Sequence, residues 1–203
     1  DVGGIAPGSM SSLATDIHQE GILLDSVKLV EQGSFQTERL EKLFSSGDYP
    51  ARNIAQNMAD LMAQTAANKT GVNELLKLVE QHSLKTVYAY MQHIQDNAKT
   101  SIQKVLARLK DGEFNYPLES GATIVVKISI DKIKLRATID FTGTSAQQNN
   151  NLNAPKAITQ AAVMYVFRCL VNDDVPLNAG CMQALNIIVP EGSLLNPYFP
   201  AAV

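Results

Sequence analysis

From Pro50 to Asp111 apolar residues recur every three or four positions, the period of an α-helix. No other arrangement hides such a pattern, so this stretch must be helical and the rest of the chain must supply its partner surface. Ile54, Met58, Leu61 and Thr65 open the pattern, and Pro50 suits a first helical turn. Gly71, after Asn68-Lys69-Thr70, reads as a stop. A shorter helix is expected from Val72 to Gln81, carrying Leu75, Leu76 and Val79. Ser83 is placed to cap a third, whose apolar positions run from Leu84 through Val87, Met91, Ile94 and Ile102 to Leu109 before Asp111-Gly112 ends it. The region 50–111 is therefore expected to be an antiparallel helical hairpin.

The flanks differ. Residues 1–49 are expected to be irregular, with brief strands at Ile22–Leu24 and Val27–Val30, and "SSGDYP" closes them with turn chemistry. Residues 112–203 turn to β-branched alternation. "ATIVVKISI" and "IKLRATIDF" predict a two-stranded hairpin turning at Asp131-Lys132. Pro155 then starts a helix to about Val171, apolar enough to be buried, and "ALNIIVP" is a further strand. The fold class expected is α+β, a helical hairpin followed by a mostly antiparallel sheet with one buried helix, in a piece of a larger domain. Such a piece exposes apolar surface, so a homo-oligomer is expected.

Composition excludes several classes. Apolar residues form 45% of the chain and charged residues 18%, which supports a core rather than disorder. The net charge, 17 − 20 = −3, gives no footprint for nucleic acid. No apolar run reaches the length of a membrane span, and no signal peptide opens the chain. Cys169 and Cys181 form no CxxC pair, and His18, His82 and His93 are scattered. Reduced thiols and a cytoplasmic setting are the expectation. The phosphate-binding GxxxxGK[ST] and GxGxxG motifs and the GxSxG nucleophile elbow are all absent.

Four stretches carry candidate chemistry. Asn53, Asn57, Asp60, Gln64 and Asn68 share one helix face, a stripe of amides where Lys and Glu are usual. It reads as an ordinary wet face, or as a polar interface or site wall. "FTGTSAQQNNNLNAP" offers Thr142, Gly143, Thr144, Ser145, Asn151 and Asn153 ahead of a helix N-terminus, either as a capping network or as the lining of a substrate site. Asp1 before Gly3-Gly4 is a frayed end or a ligand beside a closely approaching backbone. Glu20, before Gly21, is a surface acid or a general base.

Taken in order, "DVGGIAPGSM", "QEGILL", "RNIAQNMADLMAQTAANKTG", "YMQHIQDNA", "ATIDFTGTS", "NLNAPKAIT", "VPLNAGC" and "PEGSLLNP" resemble the hydantoinase B/5-oxoprolinase family across residues 1–203. The resemblance implies an ATP-dependent hydrolase of cyclic amides such as 5-oxo-L-proline, which it opens to L-glutamate. ATP would sit on a hydantoinase A-type partner, which activates the substrate by phosphorylation. It also implies a divalent metal of the Mg, Mn or Zn class in the parent enzyme, with Asp1-Val2-Gly3-Gly4 matching the second half of a His-x-x-Asp-Gly-Gly ligand motif. On that basis Asp1 is the candidate metal ligand and Glu20 the candidate catalytic base. Asn57, Asp60, Gln64 and Asn68 become interface or site-wall residues, and Thr142, Gly143, Thr144 and Asn153 a polar loop near substrate. The motif's histidine is expected upstream of residue 1, in which case the chain is an interior piece, inactive alone. A carboxylase subunit of the acetone or acetophenone type and a non-catalytic interface scaffold are the alternatives.

Overall fold

A computed structural model describes residues 1–8, 11–171, 175–176 and 178–203. Ser9 and Met10 of the opening motif and Leu177 of "VPLNAGC" lie outside the described residues. The chain forms two compact units. One holds residues 1–83, 148–152 and 199–203; the other holds 84–147 and 153–198. The class is α+β, as expected, with four α-helices and a mixed sheet among the described residues.

In the first unit a 3-10 turn at Ile17–Gln19 precedes a ribbon of β1 (Val30–Glu31) and β2 (Ser34–Phe35). Gln32 and Gly33, both at positive φ, make its two-residue turn. The strands expected at 22–24 and 27–30 do not form; of those residues only Val30 lies in a strand. Ile22, Val27 and Leu29 instead pack as irregular chain on a helix the sequence reading missed, α1 (Thr37–Phe44). Its Leu40 and Phe44, one turn apart, are buried with Ala51 and Met58. Apolar runs meant for packing on a helix read like short strands, because burial alone does not set the backbone period.

Next comes α2 (Ile54–His82), a single helix of 29 residues. The stop expected at Gly71 is a correction: the helix runs through it. Nothing lies within 4 Å of where a Gly71 side chain would start, so the cost is its own poor propensity, about 1 kcal/mol, and the flanking helix formers outweigh it. Pro50 precedes the helix rather than forming its first turn, and the Asn53 side chain caps it by accepting the Gln56 N–H at 3.2 Å. Ser83, at φ 70°, follows the last residue of α2, and its N–H donates to Val79 O at 2.8 Å.

The second unit opens with α3 (Leu84–Arg108), whose last turns bury Ala98, Ile102 and Leu106. Leu75 and Leu76 on α2, and Leu84 and Tyr88 on α3, are exposed. Then follow β3 (Gly112–Pro117), β4 (Thr123–Asp131), β5 (Arg136–Asp140), α4 (Lys156–Leu170) and β6 (Leu185–Ile188). The sheet order is β3-β4-β5-β6; the first two pairings are antiparallel and β5–β6 is parallel. That parallel step requires a crossover, and α4 lies within it. The strand β3 was not foreseen, since Glu113, Asn115 and Pro117 dilute the β signal and every residue of it is exposed at the sheet edge.

Ala137 and Ile139 of β5 face the core, with Val163 and Phe167 of α4 and Cys181, Ala184 and Leu194 around them. The expected burial of α4 is corrected to one face. Thr159, Val163 and Phe167 are buried at successive fours, while Ile158, Tyr165, Val166 and Leu170 are exposed. One sheet layer can cover only one stripe of a helix. No described helix is long and apolar enough to cross a membrane.

The β4–β5 connection spans 132–135 rather than the two residues expected. Asp131 Oδ1 accepts the N–H groups of Lys134 at 2.9 Å and Ile133 at 3.0 Å. These bonds, Lys134 first, hold its carboxyl below the usual carboxylate range. The turn aims Lys132 at the end of α3, where Nζ donates to the Leu106 and Ala107 carbonyls at 2.9 and 3.0 Å and also to Leu109 O. A lysine from a β-turn thus terminates the helix, satisfying carbonyls that have no helical partner. Replacing Lys132 with Met should lower stability by about 1–3 kcal/mol. Lys134→Met, which breaks only an exposed 3.8 Å pair with Asp131, should stay within about 0.5 kcal/mol in the same thermal denaturation series.

Candidate functional site

In the first unit the opening segment is not frayed. It is threaded between two other stretches of backbone. Gly4 N–H donates to Tyr49 O at 3.1 Å, Ile5 N–H to Gln19 O at 2.8 Å, and Ile22 N–H to Val2 O at 2.9 Å. Gly3 and Gly4 sit at φ +95° and +91°. A Cβ on Gly3 would lie 2.2 Å from Tyr49 O, and one on Gly4 2.7 Å from Gln19 O and 2.8 Å from the Glu20 carbonyl. Gly21 closes the approach from the other side, against Val2. The glycines are where the sequence puts them because no side chain fits.

Asp1 is held by four residues, three of them at its side chain. Oδ1 accepts the Gly3 N–H at 2.8 Å and Oδ2 the Gly8 N–H at 3.2 Å. Arg52 Nη1 stands 3.2 Å from both oxygens, and its Nη2 donates to Gly4 O at 2.6 Å. Asn57, buried at the start of α2, donates from Nδ2 to Asp1 O at 2.9 Å. One turn of chain and one helix end therefore grip the same residue. Neither Arg52 nor its pairing with Asp1 was foreseen, although "RNIAQN" holds both Arg52 and Asn57 five positions apart. The available signal was an arginine just ahead of a helix whose amide face begins at once.

Glu20 lies beside this grip. Its Oε2 accepts the Val203 N–H at 3.0 Å, while Oε1 is buried and meets no donor among the described residues. A carboxylate with one oxygen tethered and the other unpaired keeps lone pairs that can accept a proton. Next to it, a pocket of about 430 Å³ is lined by His18, Gly21, Leu23, Ser46, Asp48 and Tyr49. His18 meets Phe199 edge to face with ring centroids 5.6 Å apart.

The amide stripe divides. Asn53 caps α2 and Asn57 joins the Asp1 cluster, while Asp60, Gln64 and Asn68 are exposed. Asp60 accepts from Gln56 Nε2 at 2.8 Å. Only the first turn of the stripe reaches the cluster, because the later residues climb away along the helix axis.

In the second unit the loop after β5 is committed to the sheet. Thr144 Oγ1 accepts the Val125 N–H at 3.0 Å and donates to Val125 O at 3.1 Å. Ser145 Oγ accepts the Thr123 N–H at 2.9 Å, and its own N–H reaches Thr123 O. These hydroxyls continue the ladder on β4 after β5 itself has ended. Gly143, at φ +97°, makes the turn, with Val125 beneath it. Thr142 bonds back to Asp140, side chain and N–H both, which holds the Asp140 carboxyl below its usual range. Asn153 is buried just ahead of α4. The structure thus gives Thr142, Gly143 and Thr144 a backbone-fastening task.

Among the described residues Asp1 has no second ligand for a divalent ion beside it. Asp1 is a single carboxylate whose lone-pair directions are filled by two N–H groups and a guanidinium, itself already the counter-charge. Among the described residues no group of three or more His, Cys, Asp or Glu side chains gathers.

A family model described as hydantoinase B/oxoprolinase matches residues 1–203. The chain is 40% identical over its whole length to 5-oxoprolinase 1 of Arabidopsis thaliana and 40% identical to the 5-oxoprolinase of Saccharomyces cerevisiae. It spans only 18% and 17% of those two proteins. Among solved structures, the ATP-dependent caprolactamase of Pseudomonas jessenii superposes with a TM-score of 0.75 at 22% identity, over 99% of this chain and 35% of that one.

Gly3→Ala should cost about 3 kcal/mol or more, since positive φ and a backbone clash coincide there. Gly8→Ala, at φ +77° in open space, should cost only about 1–2 kcal/mol. Denaturant titration of the two variants checks the ranking. Thr144→Val should lower the denaturation midpoint and Thr144→Ser should restore it, because only the hydroxyl serves Val125.

Proposed function

The chain belongs to the hydantoinase B/oxoprolinase family, and on that premise we propose that it forms part of an ATP-dependent enzyme opening 5-oxo-L-proline to L-glutamate. The identity of 40% to two 5-oxoprolinases over the full length of the chain carries this reading. It works with a hydantoinase A-type ATP-binding region, since no phosphate-binding motif occurs in these residues.

The chemistry divides between the two parts. A lactam carbon is a poor electrophile because nitrogen donates into the carbonyl. Phosphorylation of the amide oxygen by the ATP-binding region converts the lactam to an imidate whose oxygen is held as a phosphate ester, and the carbon becomes open to attack. Water then adds to the carbon while Glu20 takes its proton through Oε1, the acceptor without a partner. The C–N bond breaks as the nitrogen is protonated, and a second water releases phosphate from the acyl phosphate. Asp1, Arg52 and Asn57 hold the segment against which Glu20 sits. Gln64 and Asn68, exposed farther along α2, are surface for the ATP-binding partner.

The whole protein, assayed with its ATP-binding region, should release ADP and glutamate on addition of 5-oxo-L-proline. Release of ADP with hydantoin or acetophenone and none with 5-oxoproline would overturn the substrate assignment. Glu20→Gln should lower kcat by about 10²–10⁴-fold, the usual contribution of a positioned general base.

A further inference from the structure

The Arg52 side chain makes three hydrogen bonds. Its guanidinium bridges two acceptors of different kinds, the Asp1 carboxylate and the Gly4 carbonyl. Those two residues bound the segment that braces Glu20. Val2 O receives the Ile22 N–H, Ile5 N–H reaches Gln19 O, and Gly4 lies directly against the Glu20 carbonyl. Glu20 is thereby held at its backbone on both sides by residues 2–5. Those residues take their own shape from Arg52, because two successive positive-φ glycines have no conformational preference to hold them there.

We propose that Arg52 is a positioning residue for Glu20, acting through the Asp1–Gly4 segment. The inference rests on the reading of Glu20 as proton acceptor. A general base works only within hydrogen-bond reach of the proton it takes, and a displacement near 1 Å costs about 10²-fold. The planar fork of arginine suits this task, since one side chain must serve a carboxylate and a carbonyl at once. Lysine presents a single point charge and cannot hold both in a fixed relation. Asn57, donating to Asp1 O, fixes the far end of the same segment to α2.

A double-variant cycle in the whole enzyme, with 5-oxoproline as substrate, tests the coupling. R52M should lower kcat by about 10–100-fold, with KM changed by less than about threefold. The R52M/E20Q enzyme should be no slower than E20Q alone, because a displaced base and an absent base are the same loss. R52K should fall between R52M and the unaltered enzyme, and it provides the cycle if R52M does not fold. Thermal midpoints measured alongside separate a folded, slow enzyme from an unfolded one. A kcat for folded R52M, or for R52K in its place, within twofold of the unaltered enzyme overturns the inference. So do losses that multiply in the double variant, which is the mark of a merely structural role. An E20Q enzyme with full activity removes the assignment of Glu20 itself. An inactive E20Q beside an unaffected Arg52 variant overturns the positioning role and leaves that assignment standing.

Discussion

At Gly3 one added carbon would stand 2.2 Å from the carbonyl oxygen of Tyr49. That steric limit is the constraint from which the first unit is built. It lets residues 2–5 pass between 19–22 and 49–51 at hydrogen-bonding distance, and so ties the chain's first residues to the start of its longest helix. The close approach also removes Asp1 from full solvent, where its side chain keeps 17% of its surface exposed. A carboxylate that is partly desolvated needs a partner, and Arg52 supplies both the charge and the geometry. Glycine, aspartate and arginine here are three answers to one packing problem.

The second unit solves a different problem by a related device. Its sheet must end, and its helix α3 must end, without leaving buried backbone groups unmatched. Thr144 and Ser145 carry the pairing of β4 past the end of β5 with hydroxyls in place of peptide groups. Lys132 carries the hydrogen bonding of α3 past its last turn with an ammonium. In both cases a side chain does the work of backbone. A loop rich in Thr, Ser and Asn can therefore look like a ligand site in sequence and be a fastening in space. The Asp1–Glu20 region differs from it in a buried carboxylate oxygen that no group among the described residues fastens.

Expectation and structure parted for identifiable reasons. Gly71 reads as a stop because glycine is the usual residue after a helix, but about 1 kcal/mol of propensity is small against the helix formers on either side. The helix α1 was missed because its buried residues, Leu40 and Phe44, are only two and lie among charges. The apolar composition of α4 suggested burial all round, yet a helix is buried only where another layer exists to cover it. Asn57 shares a helix face with Gln64 and Asn68, and only its height on the helix brings it to Asp1 and leaves them exposed.

What the sequence determined by itself was local and periodic: a long helical stretch, the strands β4, β5 and β6, the helix that follows Pro155, and glycines clustered in the opening segment. Those follow from the fixed repeats of helix and strand and from the special freedom of glycine, all legible within a few residues. It also carried the family, through eight motifs in order. Tertiary structure alone decided which carboxylate is gripped and which is open. Asp1 meets Arg52 across 51 positions, and Glu20 meets Val203 across 183. No period links residues so far apart; only the folded path of the backbone brings a charge to its partner and leaves one oxygen of Glu20 without one.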